Sequence, residues 1–470
     1  MDFIIERFVI KGLHKTRDYD IPIRDNTLVM VGVNGLGKTT VVNLLYLLLS
    51  RQWERVLEYD FASVAVTING MEYVLEQEKD HSTADFSLSQ QLRSQLSRTV
   101  PRHQFRTLTS DVIDRVASLA VSHGKEIVAL ELDRLTAIPT YICRKIAYSL
   151  NLDAKKFNEA QRTAFDDALK TQMSEYQVLY LPTYRRIEKD LSLILPKLEE
   201  SMHALQQERD LPAADADHTH IELVEFGMED VEKTFRDVKR ELRQMAFQEL
   251  NALAGSNLRD VIRGRGNLYD IDIFRHLTDD IVQRILNRGQ GGFLDATDQS
   301  HLREVIEKLQ TSDDTLLGPN DRYIAHFFSK LISVDKALFD QEKRILKFAA
   351  VCNRYLSGKE LVYDDEEYTV LVRLISTGQE LQLKSLSSGE KQIVSLFSHL
   401  YLKRNGKVCV IIDEPELSLS VTWQQQLLPD ILDTGNCSFL AAVTHSPFIF
   451  KNQLDGYALD LSECITEATQ

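Results

Sequence analysis

One stretch limits what this chain can fold into more than any other. Residues 32–39, GVNGLGKT, fit the pattern G-x-x-x-x-G-K-[ST]. The preceding TLVMVGV is apolar and reads as a strand, and Val41 to Leu49 reads as a buried helix. A glycine-rich turn between a strand and a helix lets successive backbone N–H groups close on phosphate oxygens. The residues that would do so are Asn34, Gly35, Gly37, Lys38, Thr39 and Thr40. Lys38 would reach the β- and γ-phosphates, and the Thr39 hydroxyl would bind Mg²⁺. ATP and Mg²⁺ are therefore the expected ligands.

A second turn of the same chemical kind lies about 350 positions later. KSLSSGEKQIVSLFSHL, Lys384 to Leu400, passes from Ser387-Ser388-Gly389 into an apolar helical pattern. Between the two turns and the end of the chain stand two further buried-strand patterns. Val408 to Ile412 is wholly apolar, as in a parallel sheet covered on both faces, and ends in Asp413-Glu414. In a chain with a phosphate loop, Asp413 suits the Mg²⁺ shell and Glu414 suits the polarising of an attacking water. FLAAVTHSPFI is the other strand, and it delivers His445 to its carboxyl end, where open α/β sheets bind ligands. His445 is expected to face a γ-phosphate or the attacking water.

The pattern along the chain predicts an α/β core split by a large helical insertion. Residues 1–90 carry the phosphate loop, and Asn69-Gly70 between two alternating runs predicts a hairpin. Residues 91–175 read as helical and polar, with a basic stretch at Arg93, Arg98, Arg102, His103 and Arg106. Residues 176–190 return to a core strand followed by TYRRIE, and 191–358 form the helical insertion. Residues 359–470 complete the α/β core. Within the insertion, Met228, Val231, Phe235, Val238, Leu242 and Met245 recur at three or four. So do Leu331, Val334, Leu338, Ile345, Phe348, Cys352 and Tyr355, with Gln341 as a polar break. Two long helices burying one seam fit both runs, either as part of a helical lobe or as a short antiparallel arm.

Composition narrows the partners. A formal net charge of −15 opposes a chain coated in nucleic acid, although a local basic patch stays open. The five cysteines are scattered with no C-x-x-C pair, as expected in a reducing cytoplasm. The charged start MDFIIERFVIKG is unlike a signal peptide, and no apolar run is long enough to span a membrane.

Taken in order, these motifs resemble the ABC-type ATPases of the branch that includes the SMC, RecF and OLD-like proteins. The match covers residues 1–80 and 360–450. The family's signature, leucine-serine-glycine-glycine-glutamine, stands here as Leu386-Ser387-Ser388-Gly389-Glu390. PELSLSVTWQQQ resembles the family's D-loop, with Ser420-Val421 where many relatives carry histidine-proline. The resemblance implies an ATPase head with an antiparallel β subdomain, working as a head-to-tail dimer or a higher oligomer. It also answers why two anion-binding turns occur: Ser387, Gly389 and Glu390 would cap the nucleotide held by a partner's phosphate loop. The family's Q-loop glutamine is open among Gln77, Gln90 and Gln104. Arg185 and Arg186 fit either a phosphate, nucleic-acid or acidic-partner contact, or a surface pair with Glu188 or Asp190.

OLD-type proteins carry a nuclease after the ATPase, whereas only 25 residues follow His445 here. The expected output is therefore a separately encoded nuclease effector, as in the antiphage PARIS and Septu systems, with length favouring PARIS. A phage-derived trigger would then act on the ATPase. The alternative is a DNA repair ATPase of the RecF and SMC type, which predicts direct nucleic-acid binding.

Overall fold

The computed structural model describes residues 3–79, 92, 113–116, 125–135, 143, 146–147, 155–182, 220–222, 228–288, 295–311, 317–403 and 406–467. The chain runs through β1 (Ile5–Leu13), β2 (Arg17–Pro22), β3 (Thr27–Val31), α1 (Lys38–Leu49), β4 (Ser63–Ile68), β5 (Met71–Lys79), β6 (Lys155–Phe157) and α2 (Glu159–Gln172). It continues through α3 (Met228–Ile262), α4 (Asp279–Asn287), α5 (Ala296–Gln310), α6 (Pro319–Asn353), β7 (Lys359–Asp364) and β8 (Thr369–Leu374). It then forms α7 (Ser388–Tyr401), β9 (Lys407–Asp413), α8 (Val421–Leu432), β10 (Cys437–Val443), β11 (Ala458–Asp460) and β12 (Ile465–Glu467). The fold is mixed α/β with a large helical segment.

Two compact units form, the first from Met1–Val178, Phe439–Val443 and Tyr457–Gln470, the second from Leu179–Ser438 and Thr444–Gly456. In the first, a six-stranded sheet has the order β12-β2-β1-β4-β5-β6. Its pairs are antiparallel. The β4–β5 hairpin closes at Asn69 (φ 50°) and Gly70 (φ 77°), with Ile68 opposite Met71. Two successive left-handed residues match the right-handed strand twist, and Asn-Gly is the pair that adopts them most readily. The polar, helical reading of 91–175 needs one correction. Lys155–Phe157 is a strand, because Gln77–Lys79 offers it an antiparallel edge. Pairing across that separation has no local signature.

The same unit carries the phosphate loop. β3 pairs in parallel with β10, Leu440 opposite Thr27, and with β11, Ala458 opposite Val29. Thr27 to Met30 are all buried, which explains their unbroken apolar run. α1 leaves the loop with Val41, Val42 and Leu44–Leu49 buried; a helix apolar all round must be a core helix.

The second unit holds the two long helices. They run antiparallel, since contacts that advance along α3 retreat along α6. The Phe235 ring meets Phe348 edge-on at 5.8 Å, Arg344 Nη2 donates to Glu241 at 3.0 Å, and Lys330 Nζ bonds Asp260. The pair is not a bare arm. α4, α5 and the short helix Asp272–Arg275 pack with the N-terminal third of α6 through Phe274, Val282, Val305, Leu309 and Phe328. A small strand, His220–Glu222, also interrupts the stretch expected to be wholly helical.

The polar break in the α6 seam falls at Asp335 and Glu342, one residue from the expected Gln341 in the latter case. Arg284 forks onto Asp335 at 3.1 and 2.6 Å. Arg288 Nη2 and the Tyr363 hydroxyl both donate to Glu342, at 2.5 and 2.9 Å. Removing one partner from such a buried set costs about 3–5 kcal/mol, because a charge is left alone in the interior.

Candidate functional site

The phosphate loop takes its shape from three left-handed glycines, Gly32 (φ 147°), Gly35 (φ 84°) and Gly37 (φ 83°). Gly37 is the N-cap of α1 and supplies no side chain to the helix start. No side chain caps the start of α1, and a helix start left without a side-chain cap is suited to an anion. A Cβ on Gly37 would lie 2.8 Å from the Tyr19 hydroxyl, so glycine is required there twice over. Lys38 is 6% exposed and folds back on the loop, with Nζ donating to the Gly32 and Val33 carbonyls at 2.9 and 3.0 Å. Thr39 and Thr40 occupy the first turn of α1, and Asn34 and Gly35 are exposed in the turn.

Three residues around the loop were not found from the sequence. The Tyr19 hydroxyl donates to the Leu36 carbonyl at 3.0 Å, and Arg17 Nη1 donates to the Gly35 carbonyl at 3.0 Å. Both project from β2 and hold the outer backbone of the loop. Asp460 stands beside Gly32, its Oδ1 3.4 Å from where a Gly32 Cβ would be. Ser462 donates to that carboxylate through N–H and Oγ, and Lys38 adds a weaker attraction, so Asp460 is held below the usual carboxylate range. A polar loop brace has no spacing rule, so nothing in the sequence marks these three.

The second unit carries the other expected residues. Strand β9 is buried from Val408 to Asp413, and Asp413 itself is fully buried. Glu414 follows in a left-handed conformation (φ 51°), uncommon for a residue with a Cβ. A turn starts at the second acid of the pair, with the Leu417 N–H donating to the Glu414 carbonyl at 3.2 Å.

Ser387 is the N-cap of α7, and its partner in a reciprocal capping box is Glu390. Ser387 Oγ accepts the Glu390 N–H at 3.4 Å, and Glu390 Oε2 accepts the Ser387 N–H at 2.7 Å. Lys359 Nζ donates to the same Oε2 at 2.8 Å. Burial alone would raise the Glu390 carboxyl, but these donors outweigh it and hold the group below its ordinary value. Its carboxylate is thereby committed to the helix start, which leaves the Ser388 and Gly389 N–H groups outside the box. Ser387 and Ser388 are exposed and Gly389 is buried.

His445 is exposed, but its backbone is held. Its N–H donates to Glu416 Oε1 at 2.7 Å, and Thr444 Oγ1 donates to Glu416 Oε2 at 2.7 Å. Neither Glu416 nor Gln424, whose Oε1 accepts the Ser446 hydroxyl at 2.6 Å, was singled out as a structural brace by the sequence. Ser418, in the D-loop stretch, is left-handed (φ 67°).

Among the three glutamines considered for the Q-loop, Gln77 braces a turn. It accepts the Phe61 N–H at 3.4 Å and donates to the Tyr59 carbonyl at 3.0 Å. Gln90, Gln104, Arg185, Arg186 and the basic stretch at 93–106 lie outside the described residues. Among the described residues, no helix is long and apolar enough to cross a membrane.

The donor set suits a nucleoside triphosphate with Mg²⁺: an uncapped helix start, a buried lysine bent over the loop, and a threonine hydroxyl in the first turn. No curated protein matches the chain. Among solved structures it is similar to the Smc head domain with an extended coiled coil bound to the C-terminal domain of ScpA, from Pyrococcus furiosus. Identity there is 12% over 96% of this chain and 92% of that one, with a TM-score of 0.35. It is also similar to SmcHead bound to the C-winged helix domain of ScpA, at 9% identity over 95% and 91% of the two chains and a TM-score of 0.34. The Smc head domain with a coiled coil and joint from Pyrococcus yayanosii matches at 14% identity over 96% and 93%, with a TM-score of 0.30. The AAA ATPase domain family matches residues 4–450, a span that takes in the Gly32–Thr39 loop, the Asp413–Glu414 strand end and His445. On that match the chain belongs to the AAA ATPase domain family.

Proposed function

We propose that this ATPase hydrolyses ATP between head-to-tail copies and uses the cycle to control a separately encoded nuclease in antiphage defence. The observation that carries the nucleotide half is the uncapped start of α1 beneath Gly37, with Lys38 folded over the loop carbonyls. Bound nucleotide would exchange those carbonyl contacts of Lys38 for phosphate oxygens. Mg²⁺ supplies charge neutralisation on the phosphates and would be held by the Thr39 hydroxyl and the Asp413 shell. Glu414 orients and polarises the attacking water, and His445 faces the γ-phosphate. Ser387 and Gly389 act on a partner copy's nucleotide through the exposed end of α7.

The pairing with a nuclease effector and a phage-derived trigger rests on the resemblance to stand-alone defence ATPases. Two measurements test the proposal. Calorimetric titration of ATP should show binding to the wild-type chain and none to Lys38→Ala; equal affinities would remove the nucleotide reading. Phage challenge of cells carrying the chain with its neighbouring genes should show protection lost in Lys38→Ala. If instead duplex DNA stimulates turnover with a steep salt dependence, the repair reading replaces the defence one.

A further inference from the structure

We infer that Glu416 is the positioning residue for His445, acting through a ring of hydrogen bonds that Gln424 completes. The inference rests on the ATPase reading of His445. The His445 side chain is exposed and makes none of the bonds in the ring, so its direction depends on its backbone. That backbone is fixed from both sides. Glu416 takes the His445 N–H on one carboxylate oxygen and the Thr444 hydroxyl on the other, each at 2.7 Å. Thr444 is fully buried, and its Oγ1 in turn accepts the Ser446 N–H at 2.9 Å. The Ser446 hydroxyl donates to Gln424 Oε1 at 2.6 Å, and Gln424 Nε2 donates to the Leu419 carbonyl at 3.0 Å. Two side chains, from the turn after β9 and the first turn of α8, therefore tether three consecutive residues, 444–446.

The two bonds to Glu416 are charge-assisted, and such bonds are shorter and about twice as strong as neutral ones. Glu416 also stands two residues after Glu414. The turn that presents the candidate base therefore also holds the loop that presents His445, and a shift of one carries the other. This commitment separates the two acids: Glu416 spends both oxygens on tethering, so its role is geometry and not proton transfer.

The test is steady-state ATP turnover by the full chain, with ATP affinity measured alongside. Wild-type turnover that Lys38→Ala abolishes is the starting condition. A chain lacking it overturns the ATPase reading itself, separately from the role of Glu416. Glu416→Ala should lower kcat about tenfold or more while KM and ATP affinity stay near wild type. Glu416→Gln should recover most of that loss, to within about threefold of wild type. The amide oxygen still accepts the His445 N–H, and the amide NH₂ donates to Thr444 Oγ1, whose hydroxyl rotates to accept. Glu416→Ala combined with His445→Ala should be no worse than the poorer single variant, since both remove one arrangement. If Glu416→Ala fails to fold, Thr444→Val removes one of the two bonds to Glu416 together with the Ser446 N–H bond, with little change in shape, and should also lower kcat. Glu416→Gln as inactive as Glu416→Ala would overturn the proposal in favour of proton chemistry. Multiplicative losses in the double variant, or wild-type kcat in Glu416→Ala or Thr444→Val, would overturn it outright.

Discussion

Gly389 packs against the Ser418 carbonyl so closely that a Cβ on the glycine would stand 2.5 Å from that oxygen. The start of α7 and the turn after β9 are thus in backbone contact, with the Trp423 ring closing the same space at 3.4 Å. Ser418 is itself left-handed (φ 67°), so it has little freedom to retreat. Gly389→Ala should therefore destabilise the protein by about 1–3 kcal/mol, the usual range for overpacking. It should also lower ATP turnover more than it lowers ATP affinity, because the phosphate loop is not part of this contact. Thermal unfolding and turnover measured on one preparation check both statements.

Glu414→Gln should retain ATP binding and slow hydrolysis at least about 10²-fold, the low end for losing a general base. The structure sharpens this expectation by accounting for the neighbouring acids. Glu390 is spent on its capping box and Lys359, and Glu416 on Thr444 and His445. Neither is placed to substitute. Single-turnover hydrolysis with labelled ATP measures the step directly, and a wild-type rate in Glu414→Gln would reassign the base.

How much of this was legible beforehand depended on whether the cause was local. Gly32–Thr39 was legible because a tight turn around phosphate admits few residues, and Asn69-Gly70 because few pairs adopt two left-handed conformations. The long helices were legible because their buried positions recur along one face, as Val231, Val238 and Leu242 do. What stayed hidden was set by distant partners. Glu416 reaches 28 and 29 positions ahead to Thr444 and His445, and Asp460 stands beside Gly32 from the far end of the chain. Glu390 was legible as part of a signature, but its commitment to Lys359 was not, because a strand 31 residues earlier supplies the lysine.

His399 predicts an acid-sensitive fold. It lies in α7 with Nδ1 at 2.9 Å from the Ser395 carbonyl. Burial, helped by the nearby Lys403 charge, pushes its pKa down to about 4. The folded state thus resists a proton that the unfolded chain accepts near pH 6.5. Stability from this group is complete above about pH 6.5 and falls as the pH drops toward about 4, by up to roughly 3 kcal/mol. Denaturant unfolding of the wild type and His399→Gln between pH 7 and 4 checks the sign. The difference between them should shrink or reverse toward acid, and parallel pH profiles would show that His399 does not control it.

The signature should act only between copies, and two inactive chains should therefore rescue each other. Ser387 and Ser388 are exposed at the start of α7, as action on a partner's nucleotide requires. Ser387 is also the cap, worth about 1 kcal/mol, so replacing it confuses stability with function. Ser388→Arg is the cleaner block: it leaves the Ser387–Glu390 box intact and places a long cation where a γ-phosphate must approach closely. Ser388→Arg chains should bind ATP through their own Lys38 yet fail to hydrolyse it, and Lys38→Ala chains should fail to bind. In a mixed dimer the first supplies a working phosphate loop and the second a working signature, so one composite site is complete. Turnover by heterodimers purified through a different tag on each chain should recover to about half that of the wild type if the two sites fire independently. Full activity of Ser388→Arg alone would place the signature outside the reaction. Heterodimers that bind ATP at one site and stay inactive would show that hydrolysis needs both sites at once.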